Sequence, residues 1–91
     1  MAIITPVTCK AARAGLDVPV RELARRADVS TNTIVRYEGG AELRDRTIRA
    51  IQAALEAEGA TFLENDDAGT GPGVRLRPRA QASSEPMQSD D

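Results

Sequence analysis

Histidine is absent from this 91-residue chain, tryptophan is absent too, and cysteine occurs once, at Cys9. Without imidazole there is no ready general base near neutral pH, no partner to activate a nucleophile, and no usual zinc ligand set. One cysteine forms no internal disulfide, so a reducing cytoplasm is the expected home. No apolar run approaches the roughly 18 residues that a bilayer crossing needs. The opening residues also lack the basic-then-apolar order of a signal peptide, so no membrane partner is expected. The length allows one domain and leaves little chain for a catalytic cleft. No enzyme, cofactor or metal is expected.

The formal charge of −2 hides an asymmetry. Residues 1–50 carry nine basic side chains against six acidic ones, a net of +3, and residues 51–91 carry three against eight, a net of −5. A basic front on an acidic rear is compatible with nucleic-acid binding by one end. So modest a positive charge implies modest affinity per copy, and tight binding then requires a dimer.

The helical pattern begins at "TPVTCKAARAGL". Thr5 is a natural N-cap and Pro6 suits the first helical position, while Cys9, Ala12 and Leu16 form an apolar stripe. Ile4 is placed to fold back over the helix start. "GLDVP" is expected to break the helix because the residue before proline avoids helical geometry. A second helix is expected from Val20 to Ala27, with Leu23, Ala24 and Ala27 inward. Asp28 and Val29 then turn the chain, and Ser30 caps a third helix with Ile34 and Tyr37 in the core. Gly39 and Gly40 stop it. The longest helix is expected from Asp45 to Glu58, with Ile48, Ile51 and Leu55 inward and Gly59 ending it. "TFLE" and "GVRLR" change period and predict a hairpin packed on that last helix. From Pro78 onward there is almost nothing to bury, so disorder is expected.

The stretch "LARRADVSTNTIVRYEGG" raises the functional question. Ala24 is small enough for two helices to cross closely at about 90–120°. The third helix is left with Thr31, Asn32, Thr33, Val35 and Arg36 outward near its start. Such side chains can reach base edges in a major groove: asparagine pairs with adenine, arginine with guanine, and methyl groups touch thymine. The plainer alternative is a well-capped helix start with a solvated face.

"VRELARRADVSTNTIVRYEGG" resembles the helix-turn-helix of the Xre (Cro/C1-type) bacterial and phage DNA-binding regulators. The order from "TP…CKAARAGL" to "GPGVRLR" is similar to a compact branch of that family with a C-terminal strand pair, and covers about residues 3–77. The resemblance implies a mainly α, four- to five-helix, lambda-repressor-like domain with a short β-hairpin and a disordered tail. It implies a DNA-binding domain over residues 1–60, a hairpin over 61–77 and a tail over 78–91. It also implies a recognition helix that begins at Ser30 and spans about 30–38, with Thr31, Asn32, Thr33 and Arg36 as the expected DNA contacts. Arg44 and Arg46 match positions that contact the backbone in relatives, and Arg21 and Arg25 are within reach of phosphate or simply solvated. Arg13 and Glu38 match an ion pair between the first and third helices. Val20 stands where the family often has glutamine, Pro19 replaces the usual serine or threonine cap, and Asp28 replaces the glycine common at the turn.

Other features carry less. "GTGPG" lacks the following lysine and helix of a phosphate loop and fits a hairpin turn. Cys9 lies on an apolar stripe, which suits packing. Asp66 and Asp67 suit a solvated loop. Arg75, Arg77 and Arg79 either extend a phosphate-binding surface or guard an exposed strand edge. That edge could also pair with a second copy. The leading expectation is a cytoplasmic, bacterial, sequence-specific transcriptional regulator that binds double-stranded DNA, as a homodimer. The alternative is a protein-interaction module of the same fold, such as an antitoxin, an anti-activator, or an adaptor for RNA polymerase or another regulator.

Overall fold

A computed structural model describes residues 2–64 and 71–77. The predicted disordered tail, the acidic pair Asp66 and Asp67, part of "GTGPG" and Arg79 lie outside the described residues. Four helices and one antiparallel strand pair follow in order: α1 (Pro6–Leu16), α2 (Val20–Ala27), α3 (Thr31–Glu38), α4 (Asp45–Glu58), β1 (Ala60–Leu63) and β2 (Gly73–Leu76). The fold is mainly helical with a short C-terminal ribbon, as expected. The described helices number four, the lower of the two counts anticipated.

Helix starts follow local chemistry. Thr5 caps α1 by accepting from the Thr8 N–H at 3.1 Å, and Thr8 Oγ1 accepts in return from the Thr5 N–H at 2.9 Å. Two of the unsatisfied donors at that end are thereby matched. Pro6 occupies the first turn, and Ile4, ahead of the cap, is buried.

The first two helices end by one shared device. Asp17 (φ 58°) and Asp28 (φ 61°) both take the left-handed conformation. In each case two backbone bonds close the end: Asp17 to Ala14 O and Val18 to Arg13 O, then Asp28 to Arg25 O and Val29 to Ala24 O. This is the Schellman arrangement, in which the residue after the left-handed one is apolar and packs back on the helix. Val18 is buried and Val29 half-buried. The stop of α1 is therefore set by Asp17, where the sequence pointed to Pro19.

Leu23, Ile34, Ile51, Leu55, Val18 and Cys9 are the largest fully buried side chains, drawn from the first four helices and the turn between two of them. Each buried Leu or Ile contributes roughly 1.5–3 kcal/mol relative to exposure. α2 packs on both α3 and α4. The ribbon was expected on the last helix. β1 does pack on α4, but β2 lies mainly along α1. There Leu76 rests over Gly15, at a spot where any added Cβ would collide with it. No described helix is long and apolar enough to cross a membrane.

Candidate nucleic-acid interface

α3 is eight residues long, and its two faces have opposite fates. On the inner face Ile34 and Tyr37 are buried, and the Tyr37 hydroxyl donates to Ile4 O at 3.1 Å. Burial, then the neighbouring Cys9, push the Tyr37 hydroxyl up to about 12. Glu38 ties the helix end to α1. Arg13 grips its carboxylate with both Nε (2.9 Å) and Nη2 (2.8 Å), a planar fork that fixes orientation as well as charge. The expected ion pair between these helices is therefore present, and the Glu38 side chain keeps only 7% of its exposure.

Cys9 completes this cluster, its Sγ donating to Glu38 Oε2 at 3.2 Å. Burial by itself would raise the Glu38 carboxyl. The bonds from Arg13 and Cys9, with the Arg13 and Lys10 charges, instead hold it below its ordinary value. Burial, followed by the adjacent carboxylate, pushes the Cys9 thiol far upward. A neutral thiol is a poor nucleophile, so here it serves as a packing group and a donor.

The outer face begins at Ser30. Its Oγ accepts from the Thr33 N–H at 3.1 Å and lies 2.9 Å from Thr33 Oγ1. The expected contacts thus divide. Ser30 and Thr33 spend hydroxyl capacity on the helix start, whereas Thr31, Asn32 and Arg36 are exposed with no side-chain partner among the described residues. Val35 joins them, 57% exposed. Residues three and four apart are neighbours on a helix surface. Thr31 therefore adjoins Val35, and Asn32 adjoins both Val35 and Arg36.

The remaining arginines are distributed over two elements. Arg21 and Arg25 lie one turn apart on the exposed side of α2. Arg44 occupies the N-cap position of α4 with no side-chain cap bond, and Arg46 follows in its first turn, also exposed. Pro19 gives α2 no side-chain cap, and Val20 is half-buried. Neither the cap position nor the first residue of α2 thus offers a polar side chain to a ligand, and Arg21 is the first that does.

Several polar ties were not visible in the sequence. Arg26 bonds Glu22 within α2 and Glu58 at the end of α4, each at 3.0 Å. Gln52 Oε1 accepts from the backbone N–H groups of Ile3 (2.9 Å) and Ile4 (3.0 Å). The Arg26–Glu22 pair is one helical turn apart, but the other ties join residues 32 to 49 positions apart, so no periodicity reveals them. For Cys9 a partial signal exists: it lies one turn before Arg13 on α1, on the side that meets Glu38. No protein-family model matches the chain, and no curated protein matches it. Among the described residues no group of three or more carboxylate or cysteine side chains is placed to hold a metal ion.

Proposed function

We propose that the protein is a sequence-specific double-stranded DNA-binding regulator of the Xre type, with α3 as its reading element. The observation that carries this reading is the contrast between the two faces of α3. One face is anchored by Tyr37, Ile34 and the Arg13–Glu38 fork, and the other presents Thr31, Asn32, Val35 and Arg36 to solvent without side-chain partners among the described residues. A base-reading helix needs this combination, because its side chains must be available while its backbone is held in place. The free N–H groups of the first turn add partial positive charge toward phosphate. Arg21, Arg25, Arg44 and Arg46 supply cations for phosphate contacts, which set register without reading sequence. In a homodimer two such helices would sit about 34 Å apart on one side of the duplex.

Selection of bound fragments from a random DNA pool tests the reading. The expected product is a palindrome with half-sites about one helical turn apart. Failure to enrich any sequence, together with no binding to mixed DNA at low salt, would overturn it.

A second reading keeps the fold and changes the partner to a protein. It is favoured by the start of α2, where Pro19 and Val20 bring no polar side chain to a base edge. Binding that persists as salt rises, to a protein and not to DNA, is its mark, since phosphate-driven association weakens steeply.

A further inference from the structure

One edge of the ribbon is left open by the rest of the described chain. Just beyond the paired strands the Arg77 N–H donates to Gly59 O at 2.9 Å, and the register sets Ala60 against Leu76, Thr61 against Arg75, Phe62 against Val74 and Leu63 against Gly73. Bonded and non-bonded pairs alternate along an antiparallel ladder. The Arg77 bond therefore makes Thr61/Arg75 and Leu63/Gly73 the bonded pairs. It follows that the N–H and C=O groups of Val74 and Leu76 point away from β1. Among the described residues nothing bonds to them. An edge of this kind is a template for another strand.

The side chains narrow what that strand can be. Arg75 and Arg77, two residues apart, share the outward face, are exposed, and have no carboxylate partner among the described residues. A second copy of β2 is a poor occupant. Two-fold registers centred on Arg75 or Leu76 set arginine against arginine, and like charges directly opposite destabilise a sheet. Centring on Val74 sets Leu76 against Pro72 of the second copy, which has no N–H to give. On the inward face Val74 is half-buried and Leu76 remains 37% exposed, so apolar surface is left to cover.

We propose that the free edge of β2 accepts an extended acidic segment of another protein, one whose carboxylates alternate with apolar side chains. Its carboxylates meet Arg75 and Arg77, its apolar side chains cover Val74 and Leu76, and its main chain bonds the two outward-facing backbone positions. Arginines on an edge repel a second copy and select an acidic strand by the same charge. The surface lies on the ribbon and does not depend on what α3 binds.

A blocked peptide of four Val-Glu repeats, titrated into the isotope-labelled full chain, tests this. The expected result is saturable binding with shifted and exchange-protected amides at Val74 and Leu76. A peptide with every valine N-methylated loses the bonding groups that face β2 and should bind about tenfold more weakly. The joint substitution Arg75→Glu and Arg77→Glu should abolish binding of this peptide and confer binding of its Val-Lys counterpart. No saturable binding, indifference to N-methylation, or shifts confined to residues outside β2 would each overturn the proposal.

Discussion

Asn32 and Arg36 stand one turn apart on the exposed side of α3, and their amide and guanidinium are the groups best suited to paired contacts with a base edge. Asn32→Ala is expected to lower specific binding by about 1–3 kcal/mol and to leave binding to random DNA nearly unchanged. Titrations against a selected site and a scrambled one measure both, and equal losses would assign Asn32 no reading role. Glu38 belongs to the opposite face, and its predicted effect is on stability. Its carboxyl titrates below its ordinary value of 4.5 in the folded chain. The stability it contributes is thus present above that ordinary value and is lost as pH falls through the lower, folded one. Urea unfolding of Glu38→Gln across the acid range should show a shallower loss than the parent chain, and the parallel loss of both would discount the fork. Cys9 gives a third expectation: a thiol that is fully buried and protonated should react with a disulfide reagent only at the rate at which the chain opens.

Helix boundaries were legible because they are written in neighbouring residues. Thr5 with Pro6, Ser30, and Gly59 at φ 120° each act within a few positions, so their effect is readable without knowing the fold. The candidate reading face was legible for the same reason, since helical spacing alone separates Asn32 and Arg36 from Ile34 and Tyr37. The sequence did not show that Ser30 and Thr33 bond to each other, which leaves them less to offer a ligand. Nor did it show that β2 leans on α1, because nothing near Gly15 announces Leu76 sixty-one positions later. The two left-handed aspartates form a separate case. Asp28 ends α2 and aims α3, yet it holds a conformation that glycine adopts at little cost. Asp28→Gly is expected to stabilise the domain by about 0.5–1 kcal/mol, seen as a raised denaturation midpoint. A lowered midpoint would mean that the aspartate side chain contributes more than its backbone strain removes.

Across the whole molecule the charges are segregated along the chain, +3 over the first fifty residues and −5 over the rest. A duplex approaching the helical half would meet attraction only in the right orientation, so binding should be strongly salt-dependent despite the negative total. Arg44→Gln should weaken binding to selected and random DNA alike, and should reduce the slope of log K against log salt by about 1. An unchanged slope would remove Arg44 from the phosphate contacts. The short segment ahead of α1 bridges two helices. Ile4 sits in the core and offers its carbonyl to Tyr37, while Gln52 holds its amide and that of Ile3. Those few residues act as a strap that fastens α3 to α4 from behind. A protease nick just before Thr5 would therefore slacken the proposed grip on a duplex from the far side of the molecule, without altering one atom of the proposed reading face.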